Sequence, residues 1–206
     1  MPTRLTAAAI RTAAAEHTLD VRCLRAVITV ESGGSGFLGN GWIKILFEAH
    51  HLYKRLQAGG RNINPAKLAA QRPDLCRRKW NAHLYVGGAG EWDRVAAVLA
   101  WASRNDPTHW ESYKKAAYES CSWGLFQLMG FNYAAAGYPD IYAMKHDHEA
   151  GEPQQLAAIL RWMHHEGLIG LLRARNWRSF ARRYNGPGQV TLYAGRLRDA
   201  YNAASR

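Results

Sequence analysis

Apolar residues recur at helical spacing along most of the 206-residue chain, a pattern that predicts a mainly α-helical fold. Thr6, Asp20 and Asn176 stand where helix-capping residues are expected, and Pro153 suits the first turn of a helix. The predicted helices lie at about 6–17, 21–31, 46–58, 91–105, 107–119, 123–136, 153–173, 177–184 and 188–204.

Three stretches interrupt this helical pattern. Segment 33–47 is rich in glycine and has an Asn40-Gly41 turn signal between short apolar runs, which predicts a small β-hairpin or an irregular loop. Segment 61–90 is polar and contains two prolines, so short helices and loops are expected there, and 137–151 is predicted to be a loop. Because no linker divides the chain, we expect a single domain over 1–206, with a small lobe at about 38–90.

The second helix carries a carboxylate on its apolar side. Leu24, Val27 and Ile28 occupy positions i, i+3 and i+4 of a helical stripe, and Glu31 takes position i+7. Serine and glycine residues follow directly. Glu31 is therefore either an ordinary residue on a frayed last turn or a buried acid at an open edge, where desolvation would raise its pKa.

The charge of the chain favours anionic partners. It has 27 basic and 16 acidic residues, a net charge of +11. Such a balance suits nucleic acid, an anionic membrane surface or an acidic wall polymer. No helix-turn-helix, zinc-finger or RNA-binding pattern accompanies the basic residues, so we expect no nucleic-acid partner. The arginines of the C-terminal third form either an anion-attracting face or a solvated one; they are Arg173, Arg175, Arg178, Arg182, Arg183, Arg196 and Arg198.

Cysteine and histidine give no sign of a metal site or a disulfide framework. Cys23, Cys76 and Cys121 are widely spaced, and small buried thiols are the expectation for all three. The nine histidines include no His-Glu-x-x-His pattern, so we expect no metal and no cofactor. The N-terminal stretch lacks the apolar core of a signal peptide, and no apolar run is long enough to span a membrane.

Three short motifs, each weak alone, become specific in combination. They are Val-Glu-Ser-Gly at 30–33, Ser-Trp-Gly-Leu-Phe-Gln-Leu at 122–128 and Tyr-Asn-Gly-Pro-Gly at 184–188. Together they resemble the lysozyme-like superfamily, in particular soluble lytic transglycosylases and goose-type lysozymes. The stretch Lys-Ile-Leu-Phe-Glu-Ala-His-His-Leu-Tyr-Lys-Arg-Leu at 44–56 looks like the N-acetylmuramidase domain of endolysins from phages that infect Gram-negative bacteria.

The resemblance implies a lysozyme-like fold with two unequal lobes around a saccharide groove. It implies cleavage of the β-1,4 bond between N-acetylmuramic acid and N-acetylglucosamine in peptidoglycan, with Glu31 as the general acid. Phe126, Trp123 and Tyr133 are groove candidates for which core packing is at least as compatible with the sequence. Gln127 would line the groove through its amide, or is a structural residue that caps a neighbouring chain segment. The substrate-binding residues implied by the motifs are Ser32, Ser122, Phe126, Gln127, Tyr184 and Asn185.

The partner of Glu31 in catalysis stays open at the level of sequence. Glu48 lies near an apolar face and is a candidate base, a charge stabiliser, or a structural carboxylate paired with Arg55, His51 or another basic group. Asn40 stands nine residues after Glu31, where many phage-type lysozymes carry an Asp, and an amide cannot serve as a carboxylate base. Without a second carboxylate, a substrate hydroxyl could attack and give an anhydro product by transglycosylation; the endolysin resemblance favours hydrolysis.

The resemblance also bears on partners and location. It implies a monomer, made in the host cytoplasm, that reaches the periplasm after a holin-type lesion opens the membrane. Peptidoglycan strands are the expected substrate, and anionic lipopolysaccharide is an additional expected partner of the basic face. The alternative of a different class is a basic module that binds polyanions and has no catalytic activity.

Overall fold

A computed structural model describes residues 2–32, 34–60 and 63–204. These ranges contain eleven α-helices and one three-stranded sheet. The helices are α1 (Ala7–Glu16), α2 (Val21–Ser32), α3 (Ala49–Ala58), α4 (Pro65–Gln71), α5 (Gly90–Asn105), α6 (Trp110–Glu119), α7 (Ile141–Ala150), α8 (Glu152–His165), α9 (Ile169–Arg173), α10 (Trp177–Tyr184) and α11 (Val190–Ala203).

The sheet is small and antiparallel. Its strands are β1 (Ile45–Phe47), β2 (Cys121–Trp123) and β3 (Leu128–Met129), in the spatial order β1-β2-β3. Ile45 faces Trp123 across the first pair of strands, and Ser122 faces Met129 across the second. A 3₁₀ turn at Gly124–Phe126 connects β2 with β3.

Several predicted caps are confirmed. The Thr6 hydroxyl accepts a hydrogen bond from the Ala9 amide, and the Asn176 side chain accepts one from Ser179 at the start of α10. Pro153 lies in the first turn of α8, where its missing amide proton costs no helical bond. The mainly α-helical fold predicted from the apolar spacing is therefore confirmed.

The helix predicted at 123–136 is wrong. Residues in this stretch form the end of β2, the 3₁₀ turn, β3 and a second 3₁₀ turn at Gly130–Asn132. Gly124 and Gln127 adopt left-handed backbone angles, with φ of +66° and +48°, and a right-handed helix cannot pass through either residue. Trp123, Leu128 and Met129 are instead paired in the sheet.

Two further boundaries differ from the prediction. The loop predicted at 137–151 is mostly helical: α7 begins after Asp140, whose carboxylate accepts a hydrogen bond from the Ala143 amide. The helix predicted at 153–173 is divided into α8 and α9, because Gly167 adopts a φ of +64° between them. The turn predicted at Asn40-Gly41 is present: Phe37 and Ile43 form an antiparallel bridge on either side of it.

Helix α2 lies within the core and positions its own last turn. Leu24 and Val27 are fully buried, and α2 packs against α1, α11 and the 3₁₀ turn at Gly124–Phe126. The three cysteines are free and buried. Within the described ranges, no helix has the length and apolar character needed to cross a membrane.

A buried ion pair within α5 connects this helix with β1 and with the segment that precedes the helix. Glu91 is fully buried, and its carboxylate accepts hydrogen bonds from the amides of Phe47, Val86 and Gly87 and from Arg94. Arg94 in turn donates to the carbonyl oxygens of Phe47 and Asp74. Every oxygen of this carboxylate is therefore compensated by donors, as a buried charge requires.

Candidate active site

Glu31 lies in the last turn of α2 and is half-buried. Its Oε1 atom is buried and has no hydrogen-bond partner in the part of the chain that the structure describes. Desolvation raises the pKa of the Glu31 carboxyl to about 8, because burial disfavours the charged form. The carboxyl therefore keeps its proton at neutral pH.

Tyr184 lies at the end of α10, close enough to Glu31 for the two to interact electrostatically. Its hydroxyl donates to the carbonyl oxygen of Phe126 over 2.9 Å. The ring stacks on Phe180 and meets Trp162 edge-on. Burial, and secondarily the carboxyl of Glu31, hold the Tyr184 pKa well above its ordinary value, so the phenol stays neutral. This contact connects α10 with the 3₁₀ turn beside α2.

Ser122 and Gln127 form one hydrogen-bonded unit. The Ser122 hydroxyl donates to Gln127 Oε1 over 2.8 Å, and Gln127 Nε2 donates to the carbonyl oxygen of Gly124 over 2.8 Å. These bonds hold the left-handed conformation of Gln127 and the tight connection between β2 and β3. The amide of Gln127 thus has a structural partner of its own.

The remaining predicted groove residues differ in exposure. Phe126 and Trp123 are both 1% exposed, so their rings belong to the core rather than to a groove. Phe126 contributes its carbonyl oxygen to Tyr184 instead. Asn185 is exposed and ends α10, and Gly186 follows it with a φ of +82°. The side chain of Ser32 lies outside what the structure describes.

Two buried residues of α8, missed by the sequence analysis, hold the surroundings of Glu31. Gln155 Oε1 accepts a hydrogen bond from the Leu125 amide over 2.7 Å, and its Nε2 donates to the carbonyl oxygen of His148. Glu152 accepts hydrogen bonds from the amides of Gly36 and Leu5 and from the Arg4 guanidinium. One helix therefore secures both the loop after Glu31 and the turn between β2 and β3.

Glycine is required at two positions that contact Gln155. A Cβ atom added to Gly36 or to Gly124 would overlap the side-chain amide of Gln155. Gly124 also has a positive φ, which a residue with a side chain rarely adopts. Gly36, in the loop after Glu31, and Gly124, in the second motif, thus allow the backbone to approach this amide closely.

The hydrogen-bond partners of Glu48 differ from the residues around Glu31. It follows β1 and its carboxylate accepts from the Tyr85 hydroxyl at 2.8 and 2.9 Å and lies 3.2 Å from His50 Nδ1. Its amide donates to Ser120 at one end of β1, whereas Lys44, at the other end, contacts Gly124 in the turn beside α2. The strand therefore separates Glu48 from the turn that packs on α2.

Asn40 has a structural role in the turn predicted around it. Its Oδ1 accepts a hydrogen bond from the Trp42 amide over 3.0 Å, and Leu38 donates its amide to the carbonyl oxygen of Trp42. Gly41 has a φ of +84°, as a tight turn of this kind requires. The side chain of Asn40 is thereby used within the turn itself.

Comparisons with known proteins identify the family. The family model described as N-acetylmuramidase matches residues 20–205, which is most of the chain. The crystal structure of the Burkholderia AP3 phage endolysin is similar, with 36% sequence identity and a TM-score of 0.79; the match covers 98% of this chain and 72% of the endolysin chain. A comparison with curated proteins found no match. The chain belongs to the N-acetylmuramidase family of peptidoglycan-degrading enzymes.

Proposed function

We propose that the protein is an endolysin that cleaves the β-1,4 bond between N-acetylmuramic acid and N-acetylglucosamine, with Glu31 as the general acid. The observation that supports this assignment most directly is the buried, unpartnered Oε1 of Glu31 at the end of α2. The family match and the phage endolysin neighbour support the substrate class.

The chemistry requires a proton donor that is neutral before the bond breaks. Cleavage of a glycosidic bond transfers a proton to the leaving oxygen while an oxocarbenium-like charge develops on the sugar ring. An ordinary glutamate is ionised at neutral pH, but the Glu31 carboxyl, with a pKa of about 8, keeps its proton. Burial against the apolar face of α2 thus supplies the property that the reaction needs.

The neighbours of Glu31 have positioning and binding roles in this proposal. Tyr184, neutral and bonded to the carbonyl oxygen of Phe126, keeps α10 against the turn between β2 and β3. Ser122, which is 5% exposed, and Gln127 hold that turn, and in this proposal the half-buried amide of Gln127 also bonds to a sugar hydroxyl or acetamido group. In this proposal Asn185, which is exposed at the end of α10, contacts the glycan.

A second candidate reaction, transglycosylation, is suggested by the contacts of Asn40 and Glu48. Asn40 is an amide committed to its own turn, and Glu48 is bonded to Tyr85 and close to His50 at the far end of β1. A direct role of Glu48 as base or charge stabiliser therefore stays a prediction. Without such a group, attack by a hydroxyl of the substrate would give an anhydro product.

Mass spectrometry of the muropeptides released from Gram-negative peptidoglycan separates these reactions. We expect reducing ends on N-acetylmuramic acid, because water attacks the sugar that carries the developing charge. Anhydro-muramic ends would instead identify a lytic transglycosylase, and reducing ends on N-acetylglucosamine would contradict the proposed bond. Heat-inactivated protein serves as the control for background release.

The pH dependence of the reaction is expected to report the pKa of the acid. General acid catalysis requires the protonated form, so activity should fall as pH rises through about 8, where Glu31 ionises. A carboxyl with an ordinary pKa would lose activity near pH 4.5 instead. Initial rates of turbidity loss, measured in a constant-ionic-strength buffer series, test this; an alkaline limb below pH 6 would contradict the assignment.

We further propose how the enzyme meets its substrate in the envelope. Arginines on the outer side of α10, Arg178 and Arg182, line a cavity of about 540 Å³ beside the start of α11, where the helix has no side-chain cap. This basic region supports attraction to anionic wall polymer and lipopolysaccharide. In the proposal the protein acts as a monomer that reaches the periplasm after a holin-type lesion forms.

A further inference from the structure

An aromatic cavity lies beside the loop that follows Glu31. Its volume is about 370 Å³, within the range of pockets that bind small ligands. One side is formed by the hairpin around Asn40-Gly41, which presents Trp42, and the other by α7. The principal side chains are Phe37, Trp42, Trp92, Tyr118, Lys145 and Glu149.

The most exposed of these rings is held in place by the chain around it. Trp42 is 54% exposed, and its backbone amide and carbonyl are bonded to Asn40 and Leu38. Its ring meets Trp92 edge-on at 6.3 Å, and Trp92 donates its indole N–H to the carbonyl oxygen of Ile43. An exposed indole on so constrained a turn loses little conformational entropy when a ligand covers it.

The opposite side of the cavity is polar and carries balanced charge. The Lys145 ammonium lies 2.6 Å from Glu149 Oε1 and 5.8 Å from the centre of the Tyr118 ring. Because the two charges compensate each other, the cavity suits a neutral ligand rather than a phosphate or a carboxylate. The pair still offers further donors on the ammonium and acceptor sites on the carboxylate.

A pyranose ring has the complementary chemistry. Its axial C–H groups form an apolar face that packs against an aromatic ring, and its hydroxyl and acetamido groups bond to charged side chains at its edge. The hairpin is also continuous with the proposed active site: Gly36 at its start bonds to Glu152, and Lys44 at its end bonds to Gly124. The glycan on which the enzyme acts is thus the occupant that fits.

We propose that Trp42, Trp92, Lys145 and Glu149 form an accessory sugar-binding subsite for an N-acetylated sugar of the glycan strand, separate from the residues around Glu31. This inference rests on the proposed action on glycan strands. The subsite adds binding energy for long strands and takes no part in breaking the bond. In this proposal Asn40 is a positioning residue, because it fixes the turn that presents Trp42.

Calorimetric titration with the linear hexamer of N-acetylglucosamine tests the subsite. All proteins carry Glu31→Gln so that the ligand is not consumed. We expect Trp42→Ala to weaken binding about two- to tenfold, the range expected for the loss of one aromatic contact, and Trp42→Tyr to retain most of the affinity. Val86→Ala, which truncates a 64% exposed apolar side chain before α5, is the matched control and should bind as the parent does.

Equal affinity of the Trp42→Ala and parent proteins would overturn the proposal, as would the absence of hexamer binding to the parent. Binding to peptide-bearing muropeptides but not to the hexamer would overturn it in favour of a peptide ligand. Failure of the proposed function would be recognised differently, by lysis of cells by the Glu31→Gln protein. The binding comparison among the Trp42 variants does not depend on that lysis result.

Discussion

Replacing Glu31 by Gln is expected to lower the rate of peptidoglycan cleavage by roughly 10²–10⁴-fold, the usual contribution of a general acid. Glutamine has nearly the shape of the protonated carboxyl but cannot transfer a proton to the leaving oxygen. The rate is measured as turbidity loss of Gram-negative cells whose outer membrane has been permeabilised. Glu111→Gln, which changes an exposed carboxylate of α6 in the same way, should lyse the cells as fast as the parent.

The stability of the Glu31→Gln protein separates lost chemistry from lost folding. The folded protein raises the pKa of Glu31 above its unfolded value, so the carboxyl weakens stability progressively as pH rises above about 4.5. Gln removes this penalty, and the melting temperature at pH 7 should be equal to or higher than that of the parent. Equal lysis by both proteins would show that Glu31 is not the acid, and an absence of lysis by the parent would favour the polyanion-binding module.

Replacing Glu91 by Ala is expected to destabilise the fold by about 3–5 kcal/mol, the usual cost of breaking a buried ion pair. The change leaves the Arg94 guanidinium buried without its carboxylate and removes the acceptor of three backbone amides, those of Phe47, Val86 and Gly87. For a chain of this size, the melting temperature should fall by about 6–20 °C. Thermal unfolding followed by circular dichroism measures the change.

An exposed ion pair provides the control for the Glu91 variant. Asp199 contacts Arg198 on the surface of α11, where their side chains are 67% and 61% exposed, and solvent screens their attraction. Asp199→Ala should therefore leave the melting temperature close to that of the parent. A Glu91→Ala protein as stable as this control would show that the apolar packing of Phe47 and its neighbours, rather than the ion pair, holds β1 against α5.

The helices that could be predicted from sequence are those in which one apolar stripe faces one core. Helix α10 matches its prediction because Asn176 caps it and its apolar residues share a face. The stretch at 123–136 could not be predicted in this way, because apolar periodicity carries no information about the left-handed angles of Gly124 and Gln127. The sheet that replaces the predicted helix pairs β2 with β1, more than 70 positions away in the sequence.

The residues of the candidate site also divide into those that sequence could predict and those that it could not. The phase of Glu31 on α2 and the motif around it gave the position of the proposed acid from local sequence alone. Glu152, Gln155 and Glu91 gave no such signal, because a buried polar residue is identified only by its partners, and those of Glu152 lie 116 and 147 positions away. A polar residue within an apolar helix, such as Gln155 beside Leu156, is the weak local sign that sequence does offer.

The hydrogen bonds of Glu152 to the N-terminal third of the chain also bear on when the enzyme becomes competent during synthesis. Glu152 holds Leu5 and Gly36, so the loop beside the acid is secured by a residue that the ribosome adds more than a hundred positions later. Contacts between residues so far apart in the sequence form late in folding, because closing the long loop between them costs conformational entropy. A nascent chain that has emerged only through α6 carries Glu31 but not the framework that holds its surroundings.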